Sequence, residues 1–177
     1  MVDLREYEPS DATAMTAWTS DAEVVRFLTW GVGDHARAVE FIQEKIAQAQ
    51  ERPRRVYELA MVERATGLVV GSAGLRVRDW QHRRADLGYV LRRDRWGRGY
   101  MSDAVSLLIV LGFELGMHRI EATCHPDNRA SARVMDKNRM RFEGRMRHVH
   151  CVRGEWWDAL LYAIVAEGEA LPDQVNR

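Results

Sequence analysis

Several features that narrow down the class of a protein are scarce or missing in this sequence of 177 residues. Its two cysteines, Cys124 and Cys151, are too few for the disulfide framework of a small secreted domain. Acidic and basic side chains number 26 each, and this zero net charge gives no overall attraction to nucleic acid or to an anionic membrane. No apolar run reaches the roughly 18 residues of a membrane span, and residues 1–6 show no secretory signal. We therefore expect a cytoplasmic protein with free thiols that binds neither nucleic acid nor membrane.

What the sequence does contain is enough apolar material for one core. Hydrophobic residues make up 46% and charged residues 29%, as in an ordinary globular domain, and the length is short for two domains. Hydrophobic periodicity and turn residues predict strands at 2–7, 56–62, 68–77, 85–91, 119–124, 140–152 and 156–165, and helices at about 11–18, 21–28, 35–50, 100–116 and 128–138. Because hairpins and helical crossovers alternate in this order, we predict a single α/β domain with a mixed sheet.

The segment from 85 to 116 carries the strongest functional signal. An apolar strand is followed by a charged connector, then by a turn that contains Gly97 and Gly99, and then by a helix whose polar stripe is narrow. The two glycines allow positive φ angles and a close approach of the backbone to a ligand. Since the free amide groups and the dipole at the start of a helix attract anions, this turn is predicted to bind phosphate.

Three kinds of phosphate site can be compared with this turn. A nucleotide-hydrolase P-loop ends in Gly-Lys-Ser or Gly-Lys-Thr, which is absent here. A dinucleotide-binding turn would use Gly97 and Gly99, with Glu121 near the distance at which a ribose-binding acid belongs. Against it, Ser102 stands where the third glycine belongs, a charged connector separates strand and turn, and no repeated βα unit precedes them.

The third kind of site rests on a family resemblance. Residues 96–101, Trp-Gly-Arg-Gly-Tyr-Met, resemble the Gln/Arg-x-x-Gly-x-Gly/Ala motif of the GNAT superfamily of N-acetyltransferases. Residues 128–131, Asn-Arg-Ala-Ser, resemble the Asn-x-x-Ser segment of its RimJ/RimL group, and the match extends over nearly the whole chain. The resemblance implies a single-domain GNAT-like fold, with a mixed and mostly antiparallel sheet that is splayed at the cofactor site and flanked by helices.

The resemblance also implies where acetyl-CoA binds. Its pyrophosphate would meet the amides of the glycine turn, and its pantetheine arm would follow the preceding strand through a splay between residues 87–91 and 120–124. The residues implied are Val90, Leu91, Arg92, Trp96, Gly97, Arg98, Gly99, Tyr100, Met101 and Ser102, together with Asn128, whose side chain either contacts pantetheine or only caps its helix. Residues 85–145 would then form the acetyl-CoA-binding core, residues 1–53 a helical acceptor-side part, and residues 168–177 a loose tail.

Two residues are expected to move protons. Many relatives carry a tyrosine seven residues after the asparagine, but Met135 stands there, so Ser131 becomes the candidate for protonating the departing thiolate. The alternative is that Ser131 is a small residue in the helix packing. Asp86 is the candidate base for the acceptor amine, and its alternative role is an ion pair with Arg83 and Arg84.

Three positions depart from the family pattern. Trp96 replaces glutamine or arginine, and Met101 replaces glycine or alanine. Arg139 stands where a glycine usually ends the helix in the left-handed conformation. We expect Asn138 to adopt that conformation instead.

The residue types that commonly bind metals cluster at 148–151. His148 and His150 fall on one face of the predicted strand and Cys151 on the other, and no fourth ligand follows at a typical spacing. We therefore predict no metal site.

These inferences predict an N-acetyltransferase that moves the acetyl group of acetyl-CoA to a primary amine by direct transfer in a ternary complex. The acceptor is either a protein N-terminus or a small-molecule amine, and its selection is assigned to residues 25–35 and the last hairpin. A non-catalytic acetyl-CoA-binding module is the alternative, and a homodimer is left open.

Overall fold

The computed structural model of the protein describes residues 1–167. The strands are β1 (Val2–Arg5), β2 (Val56–Glu63), β3 (Val69–Asp79), β4 (Arg84–Leu91), β5 (Arg119–Cys124), β6 (Arg141–Val152) and β7 (Glu155–Val165). The helices are α1 (Asp11–Thr19), α2 (Ala22–Val25), α3 (His35–Ala49), α4 (Tyr100–Glu114) and α5 (Arg129–Lys137), with a 3₁₀ turn at Arg93–Arg95. Each predicted element is present, although the first strand and the second helix are shorter than expected. The predicted loose tail at 168–177 lies outside the described residues.

The strands form one sheet in the order β1-β2-β3-β4-β5-β7-β6. Neighbouring strands are antiparallel except β4 and β5, which are joined through α4 and run parallel. The predicted mixed, mostly antiparallel sheet with flanking helices is therefore confirmed. None of the helices in residues 1–167 is long and apolar enough to cross a membrane.

The parallel pair separates before either strand ends. Pairing of β4 with β5 runs from Arg84 opposite Arg119 to Leu87 opposite Ala122 and then stops. Beyond this point β4 remains paired with β3, and β5 remains paired with β7. The backbone groups of residues 88–91 that face the gap therefore lack a strand partner, and a ligand can satisfy them. We call this gap the splay.

Hydrophobic side chains pack on both faces of the sheet. On one side, which we call the α4 face, α4 and α5 cover the central strands, and Leu108 is fully buried. On the other side, which we call the α3 face, α1 and α3 pack on β2 and β3, and Trp18 is almost fully buried. Because side chains alternate along a strand, Leu87 and Tyr89 of β4 face α4, whereas Val90 faces α3.

The C-terminal end of α5 corrects one expectation. Arg139 itself adopts the left-handed conformation, with φ of 60°, while Asn138 stays at φ of −92°. The side-chain amide of Asn138 donates to the carbonyl oxygen of Val134 at 2.9 Å and to Ser102 Oγ at 3.2 Å. These bonds hold Asn138 in the helical turn, so the reversal of the chain falls on the next residue.

Candidate active site

The glycine turn has the backbone geometry that the sequence predicted. Gly97 and Gly99 both have positive φ angles, 76° and 84°, which L side chains rarely adopt. Gly99 occupies the N-cap position of α4 and has no side chain that could cap the helix. The first amide groups of α4 are therefore open to an anion at the end of the helix where the dipole is positive.

Side chains from neighbouring elements hold the turn in place. The indole Nε1 of Trp96 donates to the carbonyl oxygen of Leu91 at 2.8 Å, which ties the turn to the end of β4. The hydroxyl of Tyr100 donates to Glu63 Oε1 at 2.7 Å. Glu63 is buried, and hydrogen bonds from Thr66, Tyr100 and Arg95 lower the pKa of its carboxyl to about 2. Our sequence analysis missed Glu63, because its partners Arg95 and Tyr100 are distant in the chain.

A cavity of about 880 Å³ runs from the glycine turn past the splay to residues 23–30 and the β6–β7 hairpin. Most predicted site residues line it, namely Asp86, Val90, Leu91, Trp96, Gly97, Gly99, Tyr100, Met101, Ser102, Asn128 and Ser131. Arg92 and Arg98 are not part of this lining. Arg92 donates its backbone N–H to Val70 and its Nε to Asp94 Oδ1 at 2.6 Å, while Arg98 is exposed.

Two hydroxyl groups meet where the cavity passes the splay. Ser131 Oγ lies 2.8 Å from the hydroxyl of Tyr89, and either atom can be the donor. The Tyr89 hydroxyl also donates to the carbonyl oxygen of Ser131 at 3.2 Å, and burial raises the pKa of Tyr89. Burial likewise raises the pKa of the neighbouring Cys124 thiol to about 11. Sequence analysis missed Tyr89, because its partner lies on α5 and the alternation of β4 gives only the face of the strand.

Asn128 caps α5, which is one of the two roles considered for it from the sequence. Its Oδ1 accepts a hydrogen bond from the backbone N–H of Ser131 at 3.1 Å. The capping bond also fixes the first turn of α5, on which Ser131 lies. The Nδ2 group of Asn128 is then what remains for a ligand in the cavity.

Asp86 lines the cavity but is engaged in an ion pair. Arg78 Nη2 donates to Asp86 Oδ2 at 3.1 Å, and Arg78 Nε pairs with the other carboxylate oxygen. The predicted partners were Arg83 and Arg84, and this expectation was wrong. Arg84 pairs instead with Glu121 at 2.9 Å, and Arg83 Nε donates to the carbonyl oxygen of Gly116. Arg78 lies at the bulge between residues 77 and 79 of β3.

Three cations of α5 also line the cavity. Arg129, Arg133 and Lys137 follow one another at intervals of four residues, so they lie on one side of the helix. All three are exposed, and none has a carboxylate partner within residues 1–167. Their unpaired charge suits an anionic ligand. The spacing was visible in the sequence, but its significance depends on α5 facing the glycine turn.

Aromatic rings form the opposite end of the cavity. Phe27 stacks on His125 with ring centroids 5.0 Å apart, and His125 meets the edge of Trp157 at 4.9 Å. Trp30, which is half-exposed, lines the same end. Residues of the segment 25–35 and of the last hairpin therefore line the same cavity. No group of three His, Cys, Asp or Glu side chains among the described residues is arranged to hold a metal ion.

Comparison with known proteins identifies a family and related structures that share this fold. The family described as an acetyltransferase (GNAT) domain matches residues 2–141. The uncharacterized N-acetyltransferase YoaA of Bacillus subtilis (strain 168) is 32% identical over 170 residues, with 94% of each chain covered. A GNAT-family acetyltransferase structure from Bacillus anthracis superposes with a TM-score of 0.82 at 28% identity, covering 93% of this chain and 94% of that chain.

A second solved structure shares the fold at lower identity. It is RimL, the ribosomal L7/L12 alpha-N-protein acetyltransferase in complex with coenzyme A, with a TM-score of 0.81 and 22% identity over 93% of each chain. At this identity the likeness concerns the fold alone. The match over residues 2–141 and the 32% identity to YoaA show that this chain belongs to the GNAT family of acetyltransferases.

Proposed function

We propose that this protein transfers the acetyl group of acetyl-CoA to a primary amine by direct transfer, with both substrates bound together. The observation that carries the proposal is the cavity of about 880 Å³, which joins the glycine turn, the splay and the aromatic end. A donor that enters from the turn and an acceptor that enters from the aromatic end would meet beside Ser131. No covalent intermediate on the protein is then needed.

The cationic end of the cavity fits the phosphates of acetyl-CoA. The amides at the start of α4 and the charges of Arg129, Arg133 and Lys137 converge on this region. The backbone groups of residues 88–91 that face the splay and have no strand partner there fit the amide-bearing pantetheine arm. Bound acetyl-CoA supplies a thioester, whose acyl carbon an amine can attack. RimL, a fold neighbour, was solved with coenzyme A.

The transfer forms a C–N bond and breaks the C–S bond, so the departing thiolate must gain a proton. We propose that Ser131 Oγ donates this proton, with the Tyr89 hydroxyl as its hydrogen-bonded partner, and that solvent in the cavity returns a proton to Ser131. At the acceptor end, Asp86 is the base proposed from the sequence. Asp86 can take a proton from the amine only after its pair with Arg78 opens.

The acceptor is proposed to be a protein N-terminus or a small amine. An amine with a pKa of about 10.4 costs about 4–5 kcal/mol to deprotonate at pH 7, whereas an α-amine near 8 costs only about 1–1.5 kcal/mol. RimL is named for an α-amine of a ribosomal protein. The aromatic end, with Phe27, Trp30 and Trp157, offers apolar contact to whichever group carries the amine.

Turnover with a panel of N-terminal peptides and small amines tests the proposal. Acetyl-CoA binding is measured by calorimetry, thiol release by a colorimetric thiol reagent, and the acetylated product by mass. We expect binding, thiol release and a product heavier by one acetyl group for at least one amine. Binding of acetyl-CoA without turnover of any amine would favour the non-catalytic module. The buried Met135 is consistent with that alternative, because it has no proton to give at the position where many relatives carry a tyrosine. Failure to bind acetyl-CoA would overturn both readings.

A further inference from the structure

The α3 face of the sheet carries a carboxylate that the mechanism above does not use. Glu58 lies in β2, with its side chain on this face and directly opposite Gly74 of β3. Gly74 in turn lies opposite Gly88 of β4. Glu58, Gly74 and Gly88 therefore form a row across three neighbouring strands, and directly paired residues point to the same face of a sheet.

The side chain of Glu58 extends along this row toward the cavity. A Cβ atom placed on Gly74 would lie 2.2 Å from Glu58 Oε2, so the carboxylate occupies the space over that glycine. Gly88 has no atom within 4 Å of its Cβ position, and it lines the cavity. Since strands lie about 4.8 Å apart, the carboxylate is roughly one strand spacing from the open cavity floor. That separation leaves room for one water molecule.

The surroundings of Glu58 favour a proton acceptor over a permanent ion pair. Burial raises the pKa of its carboxyl, and the Ser72 hydroxyl donates to its Oε1 and opposes that rise. The ionisable groups that face it are Tyr7, Lys45 of α3, Arg76 of β3 and Asp86 of β4. No ion pair involves Glu58 within the described residues, whereas Asp86 is paired with Arg78. A carboxyl with a raised pKa is a stronger base toward an amine.

We infer that Glu58 accepts the proton of the acceptor ammonium group through one water molecule over Gly88. The inference rests on the proposed acetyl transfer and names the group that makes the amine nucleophilic. The ammonium N–H bond breaks, the electron pair stays on nitrogen, and the carboxylate becomes a carboxylic acid. After the product leaves, the proton returns to solvent through the cavity. Asp86 with Arg78 then shapes the acceptor end without taking the proton.

Glu58→Gln is the direct test, because it keeps the shape of the side chain and an acceptor for Ser72. We expect unchanged affinity for acetyl-CoA and a loss in kcat/KM of roughly 10²–10⁴-fold at pH 7, the usual range for general base catalysis. The loss should shrink about tenfold per pH unit as the pH rises toward the pKa of the amine, because solvent then deprotonates the acceptor. The kcat/KM of the wild type should reach its plateau at a lower pH than the kcat/KM of Glu58→Gln.

Gly74→Ala moves the carboxylate without removing it. The new Cβ would displace only the flexible end of Glu58, so the fold should survive and activity should fall with the same pH dependence. Gly144→Ala is the matched control, since that strand glycine has open space at its Cβ position and is not part of the cavity lining. Thermal unfolding of all three variants separates a change in stability from a change in proton transfer.

The outcomes separate this inference from the proposed function. Wild-type turnover with an unaltered pH profile in Glu58→Gln would overturn the inference and leave the acetyltransferase standing. A pH-dependent loss in Asp86→Asn but not in Glu58→Gln would assign the base to Asp86 and also overturn it. Binding of acetyl-CoA by the wild-type protein without turnover of any amine would overturn both proposals. The inference would be supported if Glu58→Gln and Gly74→Ala lose kcat/KM in a pH-dependent way while any change in Asp86→Asn is independent of pH.

Discussion

The hydroxyl groups of Ser131 and Tyr89 lie 2.8 Å apart, and either can hold the proton between them. A departing thiolate, whose thiol has a pKa near 8.5, is a weaker base than either hydroxyl's anion, so a proton that the pair passes to it has to be replaced from solvent. Met135 is fully buried and has no proton to give. The acid in this protein is therefore proposed to be a pair of hydroxyls supplied by α5 and β4 together, with Asn128 fixing the turn that carries Ser131.

Replacing Ser131 with alanine tests this pair. We expect kcat to fall by roughly 10²–10⁴-fold with a modest change in KM, because general acid catalysis acts in the transition state. Tyr89→Phe should give a smaller loss, since Ser131 keeps its own O–H. Steady-state kinetics with the best acceptor of the panel would measure both. A Ser131→Ala rate within about threefold of the wild type would mean that water protonates the thiolate.

The start of α4 is the element on which cofactor binding is proposed to depend. Gly99→Asn and Gly99→Asp form a matched pair, because both residues tolerate positive φ and both can cap a helix. Their side chains differ by one negative charge. We expect Gly99→Asp to bind acetyl-CoA about tenfold or more weakly than Gly99→Asn, from repulsion of the phosphates. Calorimetry at low salt provides the measurement. Equal affinities of the two variants for acetyl-CoA would show that its phosphates do not bind at this turn.

The end of α5 stores strain that a single substitution should release. Arg139 adopts φ of 60°, which costs an L residue about 1–2 kcal/mol. Glycine would avoid this cost, but its greater freedom in the unfolded chain would destabilise the folded state by about 0.5–1 kcal/mol. Arg139→Gly should therefore raise the free energy of unfolding by up to about 1.5 kcal/mol, or by a few degrees in Tm. Asn138→Gly is the contrasting variant. It should destabilise the protein, because it removes the bonds to Val134 and Ser102.

Much of the whole molecule could be predicted from local sequence signals. Alternating and helical periodicities, turn glycines and helix caps predicted the elements in order, and Asp34 caps α3 through the N–H of Arg37. The glycine turn was predicted because a helix start and two glycines act locally. The order β5-β7-β6 was not predicted, since it depends on which strands bury each other.

The residues that sequence reasoning missed share one physical cause. Tyr89, Glu58 and Glu63 act through partners on other elements, and no local pattern reports strand register or helix docking. Asp86 shows the same limit, because its partner Arg78 lies on the neighbouring strand and not beside it in the chain. The sequence motifs predicted where the candidate active site lies, but the charged side chains that face it depend on how strands and helices pair in the fold.

The stability of the whole molecule in acid should depend on Glu63. Its pKa is lowered from 4.5 to about 2 by hydrogen bonds from Thr66, Tyr100 and Arg95, so folding favours the ionised form. The stability it contributes is fully present above about pH 4.5 and is lost as the pH falls through that value toward 2. Glu63→Gln should therefore lower the free energy of unfolding at pH 7, and its difference from the wild type should shrink between pH 4.5 and 2.

Denaturant unfolding at a series of pH values would measure that difference. Glu114→Gln is the control, because Glu114 is exposed and has no ion-pair partner within residues 1–167. Since Glu63 also holds Tyr100 at the start of α4, the same variant should weaken acetyl-CoA binding at pH 7. A difference in stability that stays constant from pH 7 to pH 2 would show that Glu63 acts through shape alone. In that case the charge at this position would not be what holds the glycine turn to β2.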